Sequence, residues 1–419
     1  MQGQVCKERW RVLSKRKSNL LINMKMDVLH RTLHPSGHGA FFTERIQQDG
    51  KDDFIVVYDC GAKDVEERKL LKKEVDEFFG SNEIIDILFI SHFDSDHVNG
   101  IEFLKPYISD KTKLVIPFSY EYFYLEKDTP VLQYMSMVMG IVADLSVKEY
   151  WVRYADISRQ ESSDGESLMV DGLDINAGFL NSGTRMGYVL SSEAPHRFKW
   201  IYVPFNLYDD RYYREKFERE VSAKFGKVPG DIKPSEFDKE AIENLREIYK
   251  HLGPYNTKDV KDSTQKSNGS KNINFNSLLL LSKATHYDCD CHCYDHIPYR
   301  HHGCINRHYC DFCDGSCLYT GDSNLKRSDC VNRLRTILGY YTQLPICLFQ
   351  LPHHGSRNNY CEWLLRDYDL YCNLFVNCGE YDFKQKSFPK LFADVKEAGR
   401  NVIMVTGKKL CRLEQEVVF

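Results

Sequence analysis

From about Lys25 the chain alternates short apolar runs with amphipathic stretches. Phe54–Tyr58 is a continuous apolar run of strand length, and Asp59-Cys60-Gly61 closes it with a turn signal. Between Val65 and Phe79 the apolar residues Leu70, Leu71, Val75, Phe78 and Phe79 recur at helical spacing among charges, and Gly80 ends the pattern. Ile84–Ile90 reads as a buried strand from its length and β-branching. Further strands are predicted over Lys113–Ile116, Asn274–Leu281, Cys317–Thr320, Ile346–Leu351, Tyr371–Asn377 and Asn401–Val405. Helices are predicted over Asp322–Tyr340, Tyr360–Arg366 and Pro389–Ala398. Such alternation predicts α/β layering, with no internal repeat. Two stretches interrupt it. Asp209–Leu252 is charged and helical and runs into a polar segment, Asn256–Asn272, which together read as a helical insertion on a flexible tether. His286–Cys317 concentrates cysteine and histidine.

Composition narrows the class. Hydrophobic residues make up 42% and charged residues 28%, which excludes fibrous and wholly disordered chains. A net charge of −4 provides no global basic field for nucleic acid, although a local patch is compatible with it. No apolar run is long enough to span a membrane, and the apolar part of the N-terminus (Leu20, Leu21, Ile22) is too short for a signal sequence. A cytoplasmic protein without membrane partners is expected. There the 15 cysteines point to metal or buried thiols rather than disulfides. The basic opening, with Lys7, Arg9, Arg11, Lys15, Arg16 and Lys17, reads as a solvated tail, with a phosphate-touching arm as the alternative.

The strand Ile84–Ile90 runs directly into Ser91-His92-Phe93-Asp94-Ser95-Asp96-His97-Val98-Asn99-Gly100. Four metal-competent side chains thus lie within six residues at the carboxyl end of a buried strand, where α/β sheets place ligands. Residues two apart in a turn can share a side. His92 and Asp94 are therefore expected to face one cation, and Asp96 and His97 a second. A plain helix-capping turn explains one His–Asp pair, but not H-x-D-x-D-H after a hydrophobic strand.

This motif resembles the H-x-[HD]-x-D-H signature of the metallo-β-lactamase superfamily, and the Asp94 form resembles its ComEC-type competence-protein branch. Other segments resemble the same branch in family order. They are Ser36-Gly37-His38-Gly39-Ala40 as a glycine turn between two strands, Asp59-Cys60-Gly61, Asn276-Ser277-Leu278-Leu279, Thr320-Gly321-Asp322 and Pro352-His353-His354-Gly355-Ser356. The resemblance implies an αββα four-layer sandwich of the metallo-β-lactamase type. Its first part would be 22–205 and its second 273–419, with the Cys/His-rich insert at 286–317. A basic tail (1–21) would precede it, and 206–272 would be the helical insertion and loop.

Asp322 follows a strand and a glycine, and one carboxylate can offer an oxygen to each of two cations. Adjacent side chains on extended backbone point apart, so one of His353 and His354 is expected to bind metal while the other contacts substrate or a supporting carboxylate. The expected ligands are His92, Asp94, Asp96, His97, Asp322 and His353 or His354. Asp96, Asp322 and His354 are the candidate catalytic residues. Asn276 and Ser356 are the candidate substrate contacts. Three carboxylates make a fairly hard set, so the two divalent ions are Zn²⁺ or Mn²⁺. Many members of the superfamily that the motifs resemble have a further histidine before the T-G-D segment; Asn274–Ser277 has none, which resembles the ComEC-type branch and implies that one cation is thinly ligated.

The 32-residue insert holds Cys289, Cys291, Cys293, Cys304, Cys310, Cys313 and Cys317, close to zinc-ligand spacing but fitting no standard finger. It is too polar to bury its own core. A structural zinc ion is expected, or else a loop of free thiols. A dinuclear site activates water for hydrolysis, and the ComEC-type resemblance implies a phosphodiester substrate. The first expectation is a phosphodiesterase or nuclease acting on nucleic acid or a nucleotide. Arg211, Tyr212, Tyr213, Arg214, Lys216 and Phe217 are candidate strand contacts. The alternatives are a small-molecule hydrolase acting on a cyclic nucleotide or lactone, and a catalytically weak metal-binding protein that docks a partner through its insertions.

Overall fold

The computed structural model describes residues 27–47, 52–118, 130–153, 167–169, 178–189, 198–207, 219–224, 226, 277–284, 290–295, 306–309, 315–326, 328–342, 346–367, 371–379, 382, 388–400, 402–408 and 411–418. In chain order its strands are β1 (Val28–Leu33), β2 (Phe41–Gln47), β3 (Phe54–Cys60), β4 (Ile87–Phe89), β5 (Lys113–Pro117), β6 (Lys148–Val152), β7 (Ser167–Met169), β8 (Gly178–Leu180) and β9 (Arg185–Val189). There follow β10 (Phe198–Asn206), β11 (Leu278–Ala284), β12 (Asp290–Asp295), β13 (Asn306–Tyr309), β14 (Cys317–Tyr319), β15 (Ile346–Gln350), β16 (Tyr371–Cys378), β17 (Val402–Thr406) and β18 (Leu413–Val418). One sheet has the order β13-β12-β18-β1-β2-β3-β4-β5-β6-β8, the other β17-β16-β15-β14-β11-β10-β9-β7. Both are mixed. Strands β3 to β6 run parallel in the first sheet, as do β14 to β17 in the second.

The two-residue period of a strand explains the layering. On β3, Phe54, Val56 and Tyr58 join the core between the sheets, while Ile55 and Val57 join a second core on the opposite face. On β11, Leu278 and Leu280 face the inter-sheet core, and Leu279 and Leu281 a third core. Leu71 and Val75 of the helix Val65–Phe78, with Val138 of Pro130–Leu145, cover the first sheet. Leu334 of Ser328–Gly339 and Leu391 of Phe388–Glu397 cover the second. Helices, sheet, sheet and helices form the expected αββα sandwich. A sheet buried on both faces needs the near-continuous apolar runs seen in β3, β11 and β15.

One charged pair lies inside the inter-sheet space. Arg31 on β1 is fully buried, and its Nε donates to Glu44 Oε1 at 2.6 Å. Its other nitrogens donate to the Gly315 carbonyl, to Gln415 and to Ser282 Oγ. Tyr319 donates to Glu44 Oε1 at 2.8 Å and Ser282 to Glu44 Oε2 at 2.6 Å, so groups from both sheets saturate the pair. Cys317 is buried in the same core, its thiol pushed up to about 12 by burial.

Two local expectations change. The helix expected from Asp322 begins only at Ser328, because Leu325 bridges to Tyr360 and its N–H is taken by the Asn359 carbonyl. The Cys/His-rich insert contributes a hairpin. β12 pairs with β13 and with β18, so the insert lengthens the first sheet, and ladder hydrogen bonds organise this part of its backbone. Most of the helical insertion, including Arg211 to Phe217, lies outside the described residues, but Val221 is buried against the first helical layer. Among the described residues no helix is long and apolar enough to cross a membrane.

Removing one member of a buried ion pair leaves the other charged and unpaired, at a cost of about 3–5 kcal/mol. Arg31→Met is therefore expected to lower the unfolding free energy by that amount in urea titrations. Arg31→Met combined with Glu44→Leu should recover most of it. A loss below about 1 kcal/mol for the single variant would contradict the structural role of the pair.

Candidate metal centre

The carboxyl ends of β3, β4, β14, β15 and β16 carry Asp59, His92, Asp322, His353 with His354, and the Gly379 turn. The turn after β4 makes one short helix, Ser95–Val98, which returns His97 towards His92 with ring centroids 4.1 Å apart. Asp94 stands at its N-cap without a side-chain cap hydrogen bond, so capping does not explain it. This turn lies against Gly61, where a Cβ would meet the Asp96 carbonyl carbon at 2.4 Å, so only glycine lets the two turns approach so closely.

Two groups of ligand-grade atoms result. In the first, His97 Nε2 lies 3.3 Å from Asp322 Oδ1, and His92 Nε2 lies 3.7 Å from Asp322 Oδ2. In the second, His38 Nε2 and His354 Nε2 lie 3.3 and 3.5 Å from Asp96 Oδ2. Within each group the ligand atoms all fall within 4.8 Å of one another, and every residue is buried. A 3.8 Å approach of His354 Nε2 to Asp322 Oδ1 joins the two. His92 thus groups with His97 and Asp322, and Asp94, with which the spacing alone had paired it, is almost as near to its Nε2. Asp94 stays at the rim, 29% exposed, with Oδ2 3.8 Å from His92 Nε2.

His353 and His354 both reach Asp322, His353 Nε2 from 3.5 Å. The rule that adjacent side chains diverge fails here because the backbone is not extended. His353, His354 and Gly355 all have positive φ, at 51°, 52° and 73°. Two histidines held in this region cost of order 1–2 kcal/mol each. His354 is buried and His353 is 36% exposed, so His353 is the one that opens to solvent.

A further ring of contacts, only partly visible in the sequence, orients these groups. His97 Nδ1 lies 2.8 Å from Asp59 Oδ2, and Asp59 also accepts from the Ser91 N–H and hydroxyl. Ser277 Oγ accepts from the Asp322 N–H at 3.0 Å and sits 3.3 Å from His92 Nδ1. Gln350 Oε1 accepts from the Thr320 and Gly321 N–H groups, and the Asn377 carbonyl faces His354 Nδ1. Asp59 and Ser277 stand in the D-x-G and N-S-L segments, which could have flagged them. Asp382, in an ordinary Glu-Tyr-Asp-Phe stretch, has no local signal. Ser356 follows the histidine turn, half-buried, with its N–H bonded to the His353 carbonyl. Asn276, Cys289, Cys304, Cys310 and Cys313 lie outside the described residues. Cys291 and Cys293 stand on β12, and Cys317 in the inter-sheet core is part of neither group.

Burial opposes ionisation of Asp322, yet His353, His97 and His92 hold its carboxyl well below the usual range. Asp96 is likewise buried, and His354 and His38 hold it well below that range. Burial lowers His97, but Asp322 and Asp59 outweigh it and raise the imidazole well above its ordinary value. Burial and the neighbouring His97 lower His92, and burial and His38 lower His354.

Four buried atoms, His92 Nε2, His97 Nε2, His354 Nε2 and Asp322 Oδ1, have no hydrogen-bond partner. Leaving such atoms unsatisfied costs about 1–3 kcal/mol each. Imidazole and carboxylate facing one another without a shared hydrogen bond suit a divalent cation, so the residues present fit the metal that the motif implies. The αββα sandwich thus carries this turn, Asp322 and the histidine pair at one edge. No protein-family model and no curated protein matches the chain. Among solved structures, the crystal structure of the metallo-β-lactamase MIM-1 from Novosphingobium pentaromativorans matches 88% of this chain and 90% of that one, at 11% identity and a TM-score of 0.26.

Two outcomes follow. Asp59→Asn keeps the side-chain volume but presents an N–H₂ group to His97 or Ser91, so zinc affinity at the first group should fall about 10–100-fold in a chelator competition. Unchanged affinity would remove Asp59 from the orienting role. In the metal-free protein the depressed carboxyls of Asp96 and Asp322 contribute stability that is complete above the ordinary value of about 3.9 and is lost as the pH falls through their native values. Urea unfolding of the metal-free chain should show stability falling below about pH 4, more steeply than in Asp322→Asn.

Proposed function

We propose that this protein is a metal-dependent hydrolase that cleaves phosphodiester bonds, with nucleic acid as its substrate class. The observation that carries the reading is the pair of adjoining His/Asp groups with four unpartnered buried atoms at one open edge of the sandwich. Two divalent ions, Zn²⁺ or Mn²⁺, would be held by His92, His97 and Asp322 on one side and by Asp96 and His354 on the other, with Asp94 at the rim. When bound, such ions acidify water and neutralise charge on an attacked phosphoryl group.

The chain's own residues do the rest. Asp322, 3.3 to 3.8 Å from imidazoles of both groups, is placed to orient a nucleophile between them. Asp96, held between His38 and His354, would share the task of orienting that nucleophile. His353, partly open to solvent beside Asp322, is positioned to meet the substrate, with Ser356 and Asn276 as further candidate contacts. The phosphodiester assignment rests on the ComEC-type resemblance of the H-x-D-x-D-H and P-H-H-G-S segments. The same reading keeps a structural zinc for the cysteines of the insert, whose hairpin also offers a surface to a protein partner.

The test is cleavage of single-stranded DNA, duplex DNA, RNA and a chromogenic phosphodiester with Mn²⁺ and with Zn²⁺. Cleavage of a polymer is expected. It should fall about 10³-fold in the Asp96→Ala/His97→Ala variant, the size expected when several kcal/mol of charge stabilisation is lost. Activity surviving in that variant would refute the assignment. Hydrolysis of the small diester alone would point to a small-molecule hydrolase, and inactivity on every substrate with a stable protein partner would point to a binding role.

A further inference from the structure

We propose that His38, on the turn between β1 and β2, is a ligand of the second cation, and that Asp382, beyond β16, holds its ring in the ligating tautomer. The proposal rests on the two-cation reading above and adds an imidazole from the opposite end of the chain.

The geometry of His97 provides the comparison. His97 Nδ1 lies 2.8 Å from Asp59 Oδ2, and its Nε2 lies 3.3 Å from Asp322 Oδ1. His38 repeats this arrangement. Its Nδ1 lies 2.7 Å from Asp382 Oδ1, and its Nε2 lies 3.3 Å from Asp96 Oδ2. Each imidazole is thus held between an outer carboxylate that accepts its N–H and an inner carboxylate aimed at its other nitrogen. Histidines that bind metal characteristically have such an outer partner, which leaves the second nitrogen's lone pair free for the ion.

Distances agree with coordination. Ligand atoms about 2.1 Å from a tetrahedral zinc ion lie about 3.4 Å from one another. The His38–Asp96 and His354–Asp96 separations are 3.3 and 3.5 Å. The rings of His38 and His354 stack with centroids 4.0 Å apart, which brings both Nε2 atoms to the same oxygen. His354 Nε2 is itself buried without a hydrogen-bond partner. Three protein ligands, two imidazoles and one carboxylate, leave a fourth position for water or substrate.

The local structure is built to hold this ring. The His38 N–H donates to Glu67 Oε1 at 3.2 Å. Gly37, at φ +69°, lies so close to Glu67 that a Cβ would collide with its carboxylate. Asp382 is fixed in turn, its Oδ2 accepting from the Gly379 N–H at 2.8 Å.

The experiment counts zinc in the full-length chain after equilibration with Zn²⁺ and measures affinity by competition with a chromogenic chelator. His38→Ala is expected to lose one zinc ion per chain relative to wild type while retaining the ion removed by His97→Ala. Asp382→Asn should weaken the ion lost in His38→Ala by about 10–100-fold. It preserves side-chain volume, so it reads the same ion if His38→Ala fails to fold. Wild-type zinc count and affinities in His38→Ala, or in Asp382→Asn should His38→Ala not fold, would overturn the assignment. That result beside a loss in His97→Ala would leave the hydrolase reading standing. No zinc loss in either histidine variant would overturn both.

Discussion

Unpartnered imidazole and carboxylate atoms, buried where five strands end, are the constraint on which the rest of this edge depends. His92, His97, His354 and Asp322 present atoms to one another that no protein donor or acceptor satisfies. A lone example would be a defect costing about 1–3 kcal/mol. Four of them converge, with the Nδ1 atoms of the three imidazoles engaged by Ser91, Asp59 and the Asn377 carbonyl and with the Asp322 backbone N–H donating to Ser277, and they form a cradle for positive charge. The left-handed backbone at His353 and His354 stores strain at the same edge, and from it both rings reach Asp322.

The sandwich supplies the rigidity such a cradle needs. Its inter-sheet space holds the Arg31–Glu44 pair, which groups on both sheets surround with hydrogen bonds. Near the metal centre Tyr58 on β3 donates to the Leu278 carbonyl on β11, and the Leu278 N–H donates to the Ser91 carbonyl. These contacts tie the β4 turn, which carries His92 and His97, to the strand beside Asp322. The two halves of the site therefore belong to different sheets yet are held in one frame, and pre-organisation of this kind is what a hydrolytic site requires.

Much of the site was readable because its residues are consecutive. His92, Asp94, Asp96 and His97 fall in six positions after an apolar strand, and Asp322 and His354 follow strands in the same way. His38 stood in view inside a glycine turn but had no neighbour in sequence to suggest a ligand. Its partners Asp96, His354 and Asp382 are far along the chain. The start of the helix near Asp322 was misplaced for a comparable reason. Leu325 finds a backbone partner at Asn359 and a bridge at Tyr360, contacts that no local propensity encodes. In the Cys/His-rich insert, β12 pairs along β18, a partner far away in the sequence.

By itself, then, the sequence determined the strand and helix periodicities, the α/β layering and the residue types of the candidate ligands, because side-chain period and residue type are properties of neighbouring positions, while the four-layer arrangement was implied by the motif resemblance. Only the tertiary structure decided which ligands meet. A helical turn closed His97 on His92, positive φ at His353 and His354 brought both to Asp322, and the pairing of β1 with β2 delivered His38 to Asp96. Such grouping follows from strand pairing and loop backbone across the whole fold, and hundreds of residues of chain separate its members.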